Sequence, residues 1–183
     1  MTDKNVSIMN IGSMGYLPQV FKKIENEKKL NIVYLGGSIT MGCNATKTEL
    51  RYVDRSAKWW QTNFPDAEIS YFNAGIGATT SQFGVARVQE HVLDKQPDLV
   101  FVEFSVNDSS SPLFMETYES LVRRLLKAES VKAVVLINNL FYNTGTNAQG
   151  IHNAVGLHYD LPIVSVRTVS YTHLRAHETR RHL

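Results

Sequence analysis

The feature that most restricts the fold is a set of five short apolar runs: NIVYL (31–35), EISYF (68–72), DLVFVEF (98–104), KAVVLIN (132–138) and PIVSV (162–166). They are rich in β-branched and aromatic residues. Most are near-continuous rather than alternating, the pattern of strands buried on both faces. Helical patterns separate them. FMETYESLVRRLLKAES sets Met115, Tyr118, Val122, Leu125 and Leu126 on one face at helical spacing, and Ser111-Pro112 ahead of it suits a cap followed by a φ-fixed first residue. TTSQFGVARVQEHVLDKQ places Phe83, Ala86, Val92 and Leu93 on a looser stripe, with Thr80 or Ser81 as cap. VDRSAKWWQTNF, GYLPQVFKKIENEKK and NAQGIHNAVGLHYD supply further helices, the last weakened by two glycines. Alternating strand and helix predicts a parallel sheet with helices on both faces. The expected fold is therefore a three-layer α/β/α sandwich around a five-stranded parallel sheet of flavodoxin-like order. Ligands of such sheets bind beyond the carboxyl ends of the strands.

The 183 residues suffice for one compact domain. No apolar run approaches the roughly 20 residues of a membrane helix. Charges and glycines interrupt the N-terminal stretch, so no signal-peptide core is expected and a cytoplasmic setting is. The lone cysteine, Cys43, allows no internal disulfide. It has no evident activating partner and reads as a small buried apolar residue. The formal charge of +2 comes from residues 168–183, where Arg175, Arg180 and Arg181 outweigh Glu178, so no basic patch argues for nucleic acid. Nothing has metal-ligand spacing, Glu103 and Asp108 standing too far apart from other ligands to form a site, and no cofactor is expected. Trp59-Trp60 reads as helix packing.

Three loops follow the first three runs, where chemistry should sit. The first is Gly36-Gly37-Ser38-Ile39-Thr40, a turn sharp enough to lift a serine hydroxyl to the sheet edge beside free backbone N–H groups. Taken alone, Ser38 could simply cap a helix. The second, Asn73 to Ser81, is glycine-rich and opens a helix, so it offers backbone donors. The third, Ser105-Val106-Asn107-Asp108, sets a side-chain amide donor at the edge, or an Asx turn. No P-loop lysine and no full Gly-x-Gly-x-x-Gly is present.

These segments resemble blocks of the SGNH (GDSL-type) hydrolases. Gly36-Gly37-Ser38 is similar to the Gly-Asp-Ser block, with Gly37 in place of Asp. Asn73 to Thr80 is similar to Asn-x-Gly-x-x-Gly-x-Thr, and Ser105 to Asp108 to Gly-x-Asn-Asp, with Ser105 in the glycine place. The likeness runs from about Asn31 to about Val166. It implies Ser38 as nucleophile and an oxyanion hole made by the N–H of Ser38, the N–H of Ala78 and the amide of Asn107. Ala78 stands where the family often has glycine, and Gly77 is the donor under a shifted alignment.

The resemblance also implies an Asp-x-x-His block near the C-terminus, which this chain lacks. His152 and His158 precede the last strand, and His91 sits on a helix. His173 and His177 follow that strand, yet Ser170 and Leu174 stand three residues before them. SYTHLRAHETRRHL shows no helical stripe, alternation or capping logic, and resembles translated adapter read-through. Native sequence is therefore expected to end near Arg167 or Ser170, giving a hydrolase-like domain over 1–167 and a non-native tail over 168–183. The rival is a native tail with His173 or His177 as base.

The implied activity is that of a serine esterase acting on small acyl esters, such as acetyl groups on carbohydrates. This chain is expected to be inactive because its general base is unknown. The alternative is a flavodoxin-like module that binds a phosphate or nucleotide at the same loops. The expected partner is a small-molecule ester, with neither nucleic acid nor membrane, and the oligomeric state is open.

Overall fold

The computed structural model describes residues 7–141 and 145–166. In chain order its elements are β1 (Ile8–Asn10), α1 (Leu17–Glu27), β2 (Lys29–Gly36), α2 (Ser38–Met41), α3 (Tyr52–Asn63), β3 (Glu68–Gly75), α4 (Ser81–His91), β4 (Leu99–Glu103), α5 (Pro112–Leu126), β5 (Ala133–Asn138), α6 (Gln149–His158) and β6 (Ile163–Ser165). The strand order is β1-β6-β5-β4-β2-β3. β2 pairs in parallel with β3 and β4, β4 with β5, and β5 with β6. Counted among themselves, these five strands follow the flavodoxin-like order 2-1-3-4-5.

β1 corrects the expectation of a five-stranded, all-parallel sheet. It pairs antiparallel with β6 and makes the sheet mixed and six-stranded. It is three residues long, with Ile8 and Met9 exposed. An edge strand buried on neither face needs no apolar run, so it leaves no periodic signal. The expected domain boundary at 167 and the tail of 168–183, with His173 and His177, lie outside the described residues.

The continuous apolar runs are explained by the two cores they separate. Along β2, Leu30, Ile32 and Tyr34 point to one face, where Val20 and Ile24 of α1 and Val53 and Trp60 of α3 cover them. Val33 and Leu35 point to the other, against Val88 of α4, Tyr118, Leu121, Val122 and Leu125 of α5, and Val155 of α6. Each fully buried aliphatic side chain contributes about 1.5–3 kcal/mol, so a strand with both faces covered is strongly fixed in register.

Two helix faces differ from their expected stripes. On α5, Met115 is exposed, and Leu121 completes the buried face. On α4, Phe83 and Ala86 face outward, and the inner face is Ser81, Gly84, Arg87 and Val88. Close packing selects small residues there: a Cβ on Gly84 would lie 2.9 Å from the Phe104 ring.

Candidate active site

Ser38 follows directly from the end of β2. Gly37 is the N-cap residue and Ser38 the first residue of α2, a single turn closed at Gly42. Ser38 lines a cleft of about 540 Å³ with Ile39, Cys43, Val106, Asn107 and Phe141, among others. The cleft lies beyond the carboxyl ends of the central strands, as the fold requires.

The three loops meet around Gly37. A Cβ there would stand 2.6 Å from Oδ1 of Asn107 and 3.4 Å from the Thr79 carbonyl oxygen. Only a residue without a side chain lets the third loop approach the nucleophile turn so closely. The Gly37 N–H donates to the Glu103 carbonyl at 3.2 Å, and the Ile76 N–H to the Gly36 carbonyl at 3.1 Å. Asn73 Nδ2 donates to the Thr40 carbonyl at 2.8 Å, while its Oδ1 accepts the Gly75 N–H at 2.9 Å. The second segment is thus tied to α2 by the Asn73 side chain and to the end of β2 by the Ile76 backbone.

The structure brings Ser38 and Asn107 to one cleft. The carboxamide oxygen of Asn107 is buried without a hydrogen-bond partner among the described residues. Ala78 lies on the loop that Gly37 touches through Thr79. Its φ is 58°, in the left-handed region that favours glycine.

Histidine geometry separates the described candidates from this cleft. Nε2 of His152 lies 3.0 Å from Oδ2 of Asp108, both side chains enclosed, and the ring stacks on Tyr118 with centroids 3.6 Å apart. Burial lowers the His152 pKa against the opposing pull of Asp108. Asp108 is therefore no isolated acid: its Oδ1 also accepts the Ser81 N–H at 2.9 Å, at the start of α4. His91 meets Arg87, and His158 packs edge-on against Tyr159. Among the described residues, no histidine lines the cleft.

Sequence reasoning missed two features. Cys43 is free and exposed at the cleft rather than buried, since the turn after α2 carries it outward. Glu103, the last residue of β4, is fully buried, and burial pushes its pKa up to about 7 against the hydrogen bond from Ser105. A carboxylate at the end of an otherwise apolar strand was the available signal. Trp60 packs in the core as expected, while Trp59 is half-exposed. The described residues contain no cluster of potential metal ligands and no helix long and apolar enough to cross a membrane.

Residues 34–180 match the family model described as GDSL-like lipase/acylhydrolase. Among solved structures, the chain is similar to a two-domain esterase active on acetylated mannans, at 47% identity and a TM-score of 0.88. That match covers 91% of this chain and 45% of the esterase, so the chain spans less than half of that relative's length. An acetylxylan esterase from Geobacillus stearothermophilus matches at 17% identity over 73% of this chain and 74% of its own, with a TM-score of 0.59. An SGNH-hydrolase family esterase matches at 21% identity over 74% and 75%, with a TM-score of 0.60. These last two show likeness of fold. None of the curated proteins compared with the chain matches it.

Proposed function

The chain belongs to the GDSL-like lipase/acylhydrolase family, a family of ester hydrolases, and from that premise we propose that it is the nucleophile-bearing part of a serine esterase for small acyl esters of carbohydrates. One observation carries the reading: Ser38 and Asn107 line a single cleft, with Gly37 of the nucleophile turn close against the other two loops. The acetylated-sugar substrate is supported by the similarity to the mannan-active esterase at 47% identity.

In this reading Ser38 Oγ attacks the ester carbonyl carbon while a base takes its proton. The carbonyl oxygen becomes an oxyanion held by the N–H of Ser38, the N–H of Ala78 or Gly77, and the Asn107 amide. The alcohol leaves with the proton, and water then releases the carboxylic acid from the acyl-enzyme. A serine hydroxyl without a base is a weak nucleophile. Because the sequence holds no Asp-x-x-His block to supply that base, the 183-residue chain is proposed to turn over little or no ester, and residues 168–183 to be a non-native tail beyond a domain spanning 1–167.

The test is fluorophosphonate labelling of the chain joined to an intact family C-terminus bearing Asp-x-x-His, with Ser38→Ala as control, followed by acetate release from acetylated mannan. Labelling lost in the control supports the reading. Absence of labelling in the completed protein, together with thermal stabilisation by a nucleotide or phosphate, would replace it with the binding-module alternative.

A further inference from the structure

Arg87, on α4, is only 5% exposed, and among the described residues no carboxylate pairs with it. A buried cation normally keeps an acid beside it, because desolvating an unpaired charge is costly. Here the guanidinium fork is directed at backbone carbonyls. Nη1 donates to the Ala74 carbonyl at 2.7 Å and Nη2 to the Gly36 carbonyl at 3.0 Å. Nη1 also meets Nδ1 of His91, one turn along the same helix, at 3.2 Å. Burial lowers the Arg87 pKa to about 10, so the group stays charged at neutral pH.

The two carbonyls occupy particular places. Gly36 ends β2, two residues before Ser38, and Ala74 precedes the last residue of β3, just ahead of the loop that carries Gly77 and Ala78. The strands already pair in parallel register, Leu35 opposite Ala74 and Gly36 opposite Gly75. Their pairing therefore needs no cation. A fork that bridges both strand ends adds what pairing lacks, a fixed separation where the chain leaves the sheet. It also sets a positive charge beneath a site where negative charge would develop. A lysine ammonium is a point charge without the planar fork.

We propose that Arg87 is a positioning residue for the hydrolysis assigned to Ser38: its guanidinium holds the Ser38 turn and the Gly77–Ala78 loop in register and favours the oxyanion between them. The proposal rests on the esterase reading for its chemical half only. The test compares wild type with Arg87→Lys and Arg87→Met, by backbone amide exchange in the 183-residue chain and by the rate of Ser38 phosphonylation in the chain joined to an intact family C-terminus bearing Asp-x-x-His. Losing a charge-assisted pair of hydrogen bonds should accelerate exchange in residues 36–42 and 74–80 by about tenfold or more, and slow phosphonylation by about as much. Protection in β5 should stay at the wild-type level. Added guanidinium ion should restore the labelling rate of Arg87→Met and leave the wild type unchanged, which a loss of general stability would not produce. Uniformly faster exchange across the sheet, or wild-type labelling in a folded variant, overturns the proposal. Should Arg87→Met not fold, Arg87→Lys carries the same two expectations. Absence of labelling in the completed wild-type protein refutes the esterase reading, and the exchange data on the 183-residue chain still decide whether Arg87 holds the two loops.

Discussion

Replacing Glu103 by Gln should remove a specific pH dependence from folding. Glu103 closes β4 under the cleft, fully buried, with Oε1 accepting the Ser105 hydroxyl at 3.2 Å. Among the described residues the titratable groups coupled to it are Asp108, Tyr52 and Tyr118, none of them a cation. Its pKa rises from the ordinary 4.5 to about 7, chiefly through burial. Between those values the folded protein holds a proton that the unfolded chain releases. The stabilisation is complete below pH 4.5 and is lost progressively as pH rises to about 7, after which the loss is constant. The displacement corresponds to about 3 kcal/mol. His152 acts with the opposite sign: its pKa is lowered by burial, so its contribution is present above pH 6.5 and is lost as pH falls. Subtracting wild type from Glu103→Gln cancels that term. Urea denaturation at intervals from pH 4.5 to 8.5 should show the variant gaining about 3 kcal/mol relative to wild type across the range. A difference that stays flat with pH would refute the reasoning.

Other perturbations follow from the same geometry. Gly37→Ala puts a methyl 2.6 Å from Asn107 Oδ1, so it and Asn107→Ala should each cut Ser38 phosphonylation about a hundredfold, measured by intact mass against time, while circular dichroism stays unchanged. Asp108→Ala strips both the Ser81 N–H and His152 of their acceptor. It should cost about 3 kcal/mol or more in urea denaturation. Ala78→Gly relieves a left-handed alanine and should be neutral or stabilising by up to about 1 kcal/mol with labelling retained, whereas Ala78→Val should destabilise.

How far the sequence reaches depends on whether a feature is local. The central parallel strands were legible because both faces of each had to be apolar, as Ile32 to Leu35 show, whereas the edge strand β3 keeps its apolar run although Tyr71 and Phe72 are exposed. The three loops were legible because glycine, serine and asparagine stand directly after strands. β1 was not, since an exposed three-residue edge carries no pattern. The inner face of α4 misled for a different reason. Its contacts favour Gly84 over a larger side chain and place a buried Arg87, so apolar periodicity selected Phe83 and Ala86 instead. The pairing of Asp108 with His152 joins residues 44 positions apart in sequence, brought together where α6 meets α5 and the loop after β4. The φ of Ala78 lay likewise beyond sequence reading, although the family's preference for glycine at that place marked it as a position to check.

The central claim is that Ser38 reacts within an oxyanion site built from three loops. Its most direct test is a crystal structure of the protein, completed with its family C-terminus, after treatment with a small fluorophosphonate. Phosphorus should be bonded to Ser38 Oγ, with the phosphonyl oxygen about 2.7–3.1 Å from Asn107 Nδ2 and from the backbone nitrogen of Ala78 or Gly77. An adduct on another residue, or one on Ser38 whose oxygen points away from Asn107, would contradict it.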